Sequence, residues 1–343
     1  MNRVAINGFG RIGRCLLRAM MERRAELGFQ LVAINEPAAA EAIAYLTRYD
    51  TTHGRFPGGV ALNASGQLEV ADWQLALSHE TAPEQMPWRQ LDVDLVLECS
   101  GAFSDRKTAE GHLQAGAARV LFSQPAEADV DATIIVGVNQ EQLRPSHRIV
   151  SAGSCTTNCV LPVIQVLDEI FGIESGSIRT LHAAMNDQPV MDAYHNADLR
   201  KNRAAYASMI PVDTGLARGI ERVLPEMKGR FEARAMRIPL ADVSAIDLTV
   251  HLRSSVSAED VNAALQQAAD SRLAGILGVT REPLVSCDFV HDPRSAIVDA
   301  AQTSVAGGHL VKLLLWFDNE WGFANRMLDI TNQWVQQAPV NQT

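Results

Sequence analysis

Three places along the sequence combine residue types that can do chemistry. The stretch GFGRIG places Gly8, Gly10 and Gly13 at the spacing of a backbone turn that a pyrophosphate can approach. Cys155 lies immediately ahead of a long apolar helical pattern, and a helix N-terminus stabilises a thiolate. His182 follows 182 − 155 = 27 residues later and is the candidate base for that thiol. These residues indicate nucleotide binding and nucleophilic catalysis by cysteine.

The glycine turn lies between elements that dinucleotide binding requires. Residues 3–7 predict a short buried strand, residues 15–27 a helix, and residues 31–34 a second strand. Glu36 lies 36 − 13 = 23 residues beyond the last glycine, where a carboxylate accepts bonds from both ribose hydroxyls. A carboxylate there repels a 2′-phosphate, which favours NAD over NADP. A tight turn without a ligand is the alternative, but the order strand, turn, helix, strand and acid favours the cofactor.

Further apolar runs continue this alternation of strands and helices. The predicted strands are 94–98, 119–122 and 132–136, and residues 105–117 predict a helix. Such alternation predicts a doubly wound parallel sheet, whose ligands lie at the carboxyl ends of the strands. Ser100 and Ser123 follow two of these strands. They are either cofactor contacts or ordinary loop residues.

The pattern changes after residue 150, where the cysteine motif SCTTNC leads into the apolar helical run 160–171. An ordinary thiol is only about 3% thiolate at neutral pH, so a catalytic Cys155 needs help from the helix N-terminus and from a base. Cys159, one turn further on, is interpreted as a small buried hydrophobe. His182 ends the strand-like run 177–181, but spacing alone does not establish that it contacts Cys155.

Basic residues and an alternating run follow. Arg200 belongs to a basic cluster, and Thr214 and Gly215 form a turn shortly after it. Such groups hold a small phosphate or are solvated surface charge, and the sequence leaves both open. From Met236 through Leu252 the polarity alternates, which is typical of an antiparallel sheet.

Composition bounds the remaining possibilities. The chain has 343 residues, which suggests two domains, and a formal charge of −10, which disfavours nucleic-acid binding. No apolar window is long enough for a membrane span and no signal-peptide pattern begins the sequence, so we expect a cytoplasmic protein. The five cysteines are scattered, without a CxxC pair, and the sequence has no HExxH motif. We therefore expect reduced thiols and no metal site.

Motifs along nearly the whole chain resemble the glyceraldehyde-3-phosphate dehydrogenase family. They are INGFGRIGR at 6–14, SCTTNC at 154–159, the Thr-Gly pair at 214–215, MRIP at 236–239 and WFDNEWGFANRMLD at 316–329. The resemblance implies a Rossmann-type NAD-binding domain over residues 1–153, with a C-terminal helix at 320–343 packing back on it. It also implies an α+β catalytic domain with a mixed or antiparallel sheet over residues 154–319. Relatives assemble as homotetramers, and a loop over residues 185–207 lines a neighbour's cofactor site.

The resemblance also implies roles for individual residues. Cys155 attacks the aldehyde carbon, and His182 acts first as base and then as donor to the oxyanion. Arg11 and Ile12 lie along the pyrophosphate, and Asn319 contacts the nicotinamide amide. The substrate's anionic groups are held by a set of residues that comprises Ser154, Thr156, Arg200, Thr214, Gly215 and Arg237.

Three stretches are closest to the bacterial branch of the family that oxidises erythrose 4-phosphate. They are HAAMNDQ at 182–188, DAYH at 192–195 and DFVHDPRSAIVD at 288–299. Met185 stands where phosphate-using members have a threonine, and a thioether donates no hydrogen bond. The resemblance therefore implies hydrolysis of a Cys155 thioester to 4-phosphoerythronate, in a route to pyridoxal phosphate. The alternative is phosphorylating oxidation of glyceraldehyde 3-phosphate.

The sequence departs from the family pattern at three places. Ala152 replaces a common asparagine of the family, Lys201 replaces a common arginine, and the loop at 194–197 is one residue longer than usual. A thiol hydrolase or acyltransferase would also use Cys155 and His182, but it has no use for the glycine turn. A non-catalytic binding protein on the same scaffold is expected to lose the nucleophile or the base, and both are present.

Overall fold

The computed structural model describes residues 1–194 and 197–337, and these residues form two compact units. The first unit comprises Met1–Ser154 and the described residues from Ala324 onward, and the second comprises Cys155–Phe323. Position 195 of the DAYH stretch, the adjoining position 196 and the predicted helical residues 338–343 lie outside the described residues. No helix among the described residues is long and apolar enough to cross a membrane.

The first unit follows the predicted alternation of strands and helices. Its strands are β1 (Asn2–Asn7), β2 (Phe29–Asn35), β3 (Tyr49–Asp50), β4 (Gly54–Arg55), β5 (Val60–Leu62), β6 (Leu68–Val70), β7 (Trp73–Ser78), β8 (Leu95–Glu98), β9 (Arg119–Phe122), β10 (Ala132–Thr133) and β11 (Ile149–Ser151). Its helices are α1 (Arg11–Glu22), α2 (Ala40–Arg48) and α3 (Arg106–Gln114).

A nine-stranded sheet in the order β10-β11-β9-β8-β1-β2-β7-β6-β5 forms the centre of this unit. Strand β1 pairs in parallel with β2 on one side and with β8 on the other, and only the β5–β6–β7 edge is antiparallel. The central strands are buried on both faces, which explains their continuous apolar runs. The predicted doubly wound parallel sheet is therefore confirmed.

The predicted boundaries of three elements in this unit are wrong. The helix predicted at 105–117 is α3, which ends at Gln114. The first helix begins at Arg11 rather than residue 15 and ends at Glu22, because Gly10 serves as its N-cap without any side-chain signal. The strand predicted at 132–136 is only β10, at 132–133. There the side chain of Asn139 accepts the hydrogen bond from the Ile135 N–H at 2.7 Å, which diverts the chain into a turn.

The second unit contains the remaining elements. Its strands are β12 (Ile173–His182), β13 (Ile210–Val212), β14 (Phe231–Arg237), β15 (Ser244–Leu252), β16 (Leu277–Thr280), β17 (Ala296–Asp299), β18 (Ser304–Ala306) and β19 (Leu310–Phe317). The helices are α4 (Cys155–Phe171), α5 (Leu216–Val223), α6 (Ala258–Ala269) and α7 (Trp321–Gln336), of which α7 continues into the first unit.

An eight-stranded sheet in the order β13-β14-β12-β15-β19-β17-β16 organises this unit, with β18 added against β19. Strand β15 is antiparallel to both β12 and β19, as the alternating polarity predicted, whereas β14 is parallel to β12. The sheet is therefore mixed. The parallel register places His182 directly opposite Arg237 at the carboxyl ends of their two strands.

The second core lies between this sheet and the long helix α4. Helix α4 contacts β12, β15, β17 and β19, and its inward side chains Val160, Val163, Ile164 and Leu167 are completely buried. Cys159 is also completely buried, so its interpretation as a small hydrophobe is confirmed. Packing of α4 on the sheet fixes the position of its first residue, Cys155.

Candidate active site

The turn between β1 and α1 is closed too tightly for a side chain at two of its glycines. Gly8 has φ +86°, and a Cβ there would lie 2.3 Å from the backbone nitrogen of Ser100. At Gly13 a Cβ would lie 2.4 Å from the carbonyl oxygen of Gly8. Gly10 is exposed instead, and among the described residues no atom beyond its chain neighbours lies within 4 Å of a Cβ at that position. The backbone at the start of α1 is thus accessible to an anion, as a pyrophosphate requires.

The charges around this turn favour an anion as well. No side-chain oxygen caps α1, and its first turn holds no acidic residue, so the positive end of the helix dipole is not neutralised there. The guanidinium of Arg11 pairs with Asp50. Burial of Asp50 opposes ionisation, but the His53 N–H and the Arg11 charge lower its pKa to about 2. The Arg11 side chain is therefore engaged by Asp50, and contact of the Arg11 and Ile12 backbone with a pyrophosphate stays a prediction.

Glu36 is held against the same turn. Its Oε2 accepts the backbone N–H of Phe9 at 2.8 Å, and its Oε1 accepts that of Ala38 at 3.3 Å. Each oxygen keeps a further lone pair, so the carboxylate can accept a ribose hydroxyl. The geometry fits the predicted role, which stays a prediction for the individual residue.

Ser100 and Ser123 follow β8 and β9 at the carboxyl edge of the parallel sheet. The Ser100 hydroxyl donates to Glu98 Oε1 at 2.6 Å, which leaves it able to accept but not to donate. The Ser123 N–H donates to the Glu98 carbonyl oxygen at 3.0 Å. Both residues lie where ligands bind in such sheets, and their contacts with a cofactor remain predictions.

A buried network beneath the glycine turn was missed by the sequence reasoning. Glu98, only 1% exposed, accepts bonds from Asn7 Nδ2 at 2.5 Å and from His112 Nε2 at 2.9 Å. The indole N–H of Trp88 donates to His112 Nδ1 at 3.0 Å, so the imidazole proton resides on Nε2, facing Glu98. The only local signal was an acid that ends a buried apolar strand. The network fixes Ser100 and the end of β1 around Gly8.

In the second unit, the first residue of α4 meets the last residue of β12. Cys155 Sγ lies 3.5 Å from His182 Nε2, and the helix begins at Cys155 as predicted. His182 is buried, with its ring edge-on to Phe317 at a centroid distance of 6.5 Å. The structure therefore supplies the contact that spacing alone left open.

Backbone geometry fixes the tautomer of His182. Its Nδ1 lies 2.8 Å from the carbonyl oxygen of Ala183. A carbonyl oxygen only accepts, so Nδ1 carries the proton and Nε2 presents its lone pair to the thiol. His182 is thus arranged as a base toward Cys155.

Burial keeps this pair neutral in the protein without substrate. It raises the pKa of the Cys155 thiol to about 11, although the positive charge of Arg237 and backbone hydrogen bonds act in the opposite direction. Burial and Arg237 lower the pKa of His182 to about 4. The expectation that the helix N-terminus gives Cys155 a low pKa is therefore wrong, because desolvation outweighs it. Transfer of the thiol proton to His182 is therefore unfavourable unless another group stabilises the resulting charges.

Arg237 and Asn319 lie around this pair. Arg237 ends β14 beside His182, and its Nε is buried without a hydrogen-bond partner among the described residues. Asn319 Oδ1 accepts the hydroxyl of Ser244 at 2.7 Å, and the same hydroxyl accepts the Ala183 N–H at 3.0 Å. Ser244, which the sequence analysis missed, therefore orients the Asn319 amide so that its NH2 group points away from Ser244.

The other predicted anion-binding residues are divided in the structure. Ser154 and Thr156 flank Cys155 at the start of α4, whereas Thr214 and Gly215 precede α5. These two helix starts are close, because a Cβ at Gly219 of α5 would lie 2.8 Å from Thr157 Cγ2. Arg200 instead occupies an exposed 3-10 turn at Leu199–Asn202.

Met185 lies three residues beyond the end of β12. Its side chain is 45% exposed, and its backbone N–H meets Gln188 Oε1 at 3.4 Å. Nearby, Lys201 Nζ pairs with Asp187 at 3.2 Å. The connection after His182 thus carries the Met185 thioether, which donates no hydrogen bond, at a position where a hydroxyl group would donate one.

Comparison with protein families was consistent with this division into two units. The model for the NAD-binding domain of glyceraldehyde 3-phosphate dehydrogenase matches residues 2–106. The model for the C-terminal domain of the same enzyme matches residues 154–319. Together the two matches include the glycine turn, Glu36, Cys155, His182 and Asn319.

Proposed function

Because the chain belongs to the glyceraldehyde-3-phosphate dehydrogenase family and is an NAD-dependent oxidoreductase, we propose that it oxidises D-erythrose 4-phosphate to 4-phosphoerythronate. The observation that carries the aldehyde chemistry is the 3.5 Å contact between Cys155 Sγ and the unprotonated Nε2 of His182. A nucleophile and base in this arrangement suit an aldehyde, and Arg237 beside them suits an anionic substrate.

The first half-reaction uses the neutral pair. As the aldehyde carbon approaches, His182 Nε2 takes the thiol proton and the sulfur forms a bond to the carbon. The carbonyl electron pair moves to oxygen, where the imidazolium N–H donates to the developing oxyanion. NAD, when bound, supplies the hydride acceptor that makes this an oxidation. When the carbon loses its hydride, the electron pair on oxygen re-forms the C=O bond as the acyl thioester of Cys155, and the imidazolium releases its proton to solvent, so that His182 is again available as a base.

In the second half-reaction His182 activates the group that attacks the thioester. For water, Nε2 takes one proton, the new C–O bond forms and the C–S bond breaks, so that the thiolate leaves. The acid and the regenerated Cys155 are the products. We propose water as the acceptor because Met185 offers no donor with which to hold inorganic phosphate.

Phosphorylating oxidation of glyceraldehyde 3-phosphate is the second candidate, and one observation is compatible with it. The buried Nε of Arg237 has no hydrogen-bond partner among the described residues, and a phosphate oxygen would satisfy it. The same Nε also suits the phosphate of a longer aldehyde. This observation therefore does not distinguish the two substrates, and kinetic assays are needed to do so.

Steady-state assays with both aldehydes, with and without inorganic phosphate, test the proposal. We expect erythrose 4-phosphate to give the higher kcat/KM and to turn over without phosphate. We also expect Met185→Thr to raise phosphate-dependent turnover, by about 5- to 10-fold for one added hydrogen bond of ~1–1.5 kcal/mol. Val285→Thr changes an exposed apolar residue outside this connection and is the control. Faster, strictly phosphate-dependent turnover of glyceraldehyde 3-phosphate by the parent would reject erythrose 4-phosphate as the substrate.

Glu36 gives a separate prediction about cofactor choice. Glu36→Gln removes the charge that accepts ribose hydroxyls and repels a 2′-phosphate, so the ratio of kcat/KM for NAD to that for NADP should fall. We expect a decrease of about 10- to 100-fold, equivalent to ~1.5–3 kcal/mol for hydrogen bonds to a charged group. Glu41→Gln removes an exposed carboxylate in the first turn of α2 and should leave the ratio unchanged. An unchanged ratio in Glu36→Gln would exclude the ribose contact.

We further propose that the chain assembles with copies of itself. The connection after His182 exposes several large apolar side chains, of which Val190, Met191 and Met209 are about 70% exposed. Another copy of this chain that covered them would remove that surface from water. A homotetramer and a cytoplasmic location remain predictions, as does a place in pyridoxal phosphate synthesis.

A further inference from the structure

Three carboxyl groups lie together in the second unit beside the catalytic residues. Asp242 is 7% exposed, Asp318 1% and Glu320 8%. Asp242 belongs to the connection between β14 and β15, whereas Asp318 and Glu320 lie between β19 and α7. Three buried negative charges at one place repel one another strongly, so their protonation needs an explanation.

Asp318 has the partners of an ionised carboxylate. Its Oδ2 accepts the His291 N–H at 2.7 Å, and its Oδ1 accepts the N–H groups of Glu320 and Trp321 at 2.9 and 2.6 Å. Backbone N–H groups only donate, so these three bonds favour the charged form. Asp318 also lies just before α7, where a negative charge is stabilised by the positive end of the helix dipole.

Asp242 has the opposite surroundings. Both of its carboxyl oxygens are buried, and neither accepts a hydrogen bond of normal geometry from the described residues. Its carboxyl group faces that of Asp318, and two carboxyl groups form a hydrogen bond only when one of them holds a proton. Burial, followed by the charges of Asp318 and Glu320, raises the pKa of Asp242 to about 8, although the adjacent Val243 N–H acts in the opposite direction.

We propose that Asp242 carries a proton and donates it in a hydrogen bond to Asp318, as a positioning residue for the catalytic unit. The bond joins two segments that both contribute to the site. One contains Asp242 between Arg237 and Ser244, and the other contains Asp318 next to Asn319. Ser244 already bonds Asn319 at 2.7 Å, so the Asp242 proton adds a second tie between the same two segments.

Loss of this proton would affect the site in two ways. The Asp242–Asp318 tie becomes a repulsion between ions, which leaves the Ser244 bond to Asn319 as a remaining tie between the two segments. The titratable groups that face Asp242 are Asp318 and Glu320 from the segment before α7 and Cys155 from α4. An ionised Asp242 also raises the pKa of the Cys155 thiol, so it opposes formation of the thiolate.

The dependence of stability on pH gives the first test, and its sign follows from the raised pKa. Between pH ~4 and ~8 the unfolded chain has lost the Asp242 proton while the folded protein keeps it. The contribution of this group to the stability of the parent therefore falls as pH rises through that window, and it is constant above pH ~8. Asp242→Asn keeps a hydrogen-bond donor toward Asp318 and cannot titrate, so its stability should not fall with pH for this reason.

We accordingly expect the Tm of Asp242→Asn to exceed that of the parent by an amount that grows from pH 5 to pH 8 and then stays level. About 3 °C or more near pH 8 is expected for a domain of this size. Asp242→Ala, which has no donor, should instead be less stable than Asp242→Asn at every pH. A Tm difference between parent and Asp242→Asn that does not change with pH overturns the proposal.

Two further measurements use neither aldehyde, so their failure is distinct from failure of the proposed function. Infrared difference spectra of the parent between pH 7 and pH 9 should show the loss of one protonated carboxyl band, and Asp242→Asn should lack that change. Alkylation of Cys155 by iodoacetamide becomes faster as pH rises. The pH at which this increase occurs should be lower in Asp242→Asn than in the parent. A parent without a protonated carboxyl group at pH 7 excludes the shared proton, whether or not the variants fold.

Discussion

Replacement of Cys155 by serine is expected to lower kcat for NAD reduction by about 10⁴-fold or more. A serine hydroxyl in the buried site that raises the thiol pKa to about 11 is far harder to deprotonate, and His182 cannot take its proton as readily. The C–O adduct would also be a poorer source of an acyl intermediate. NAD reduction in the presence of aldehyde, followed at 25 °C by absorbance, measures the effect.

The matched control for this substitution is Cys287→Ser. Cys287 is an exposed cysteine in the second unit, so the change is chemically the same at a position outside the site. It should keep kcat within about two-fold of the parent, as expected for a surface substitution. If Cys155→Ser turned over at the parent's rate, the thiol would not take part in the reaction and the proposed mechanism would be wrong.

His182→Asn is expected to lower kcat by about 10²- to 10⁴-fold, the range for loss of a general base. It should also change the pH profile. In the parent, protonation of His182 abolishes the base, and burial together with Arg237 lowers the pKa of His182 to about 4. The acid limb of kcat/KM should therefore lie well below the ordinary imidazole value of about 6.5, and it should be absent from the variant.

His309→Asn is a suitable control for that variant. His309 likewise places Nδ1 against a backbone carbonyl, that of Leu252 at 3.0 Å, but it lies at the far end of β15 from Ser244. Its replacement should leave both kcat and the acid limb in place. An acid limb that persists in His182→Asn would show that another group is the base.

Local patterns in the sequence predicted the nucleotide-binding unit well. Each requirement there is short in range: a strand, three glycines at fixed spacing, a helix and an acid. Gly8 and Gly13 are needed because a Cβ atom at either position would lie less than 2.5 Å from a backbone atom. Such close approaches require glycine, so they can be recognised in the sequence. The start of α1 at Arg11 could not be recognised, because no capping side chain marks it.

The catalytic unit was predicted less completely, because its contacts join distant residues. The contact of Cys155 with His182 depends on a helix packing across a sheet, and 27 residues of spacing do not determine it. The tie from Ala183 through Ser244 to Asn319 spans three separate segments. The prediction of a low pKa for Cys155 was wrong for the same reason. The sequence indicated where the helix begins, but it did not indicate how deeply the thiol is buried.

The final helix has a consequence for how the chain is made. Its described residues Trp334 and Val335 supply carbonyl acceptors for Arg119 of β9, at 2.5 Å, and for Asn2 of β1, at 3.0 Å. Because 334 − 119 = 215 residues separate one such pair, a ribosome adding about 5–20 residues per second makes the two partners roughly 10–40 s apart. The nucleotide-binding unit is therefore translated first but completed last. The burial of Trp334 and the bond from Arg119 to its carbonyl oxygen therefore form only after the whole catalytic unit has been translated.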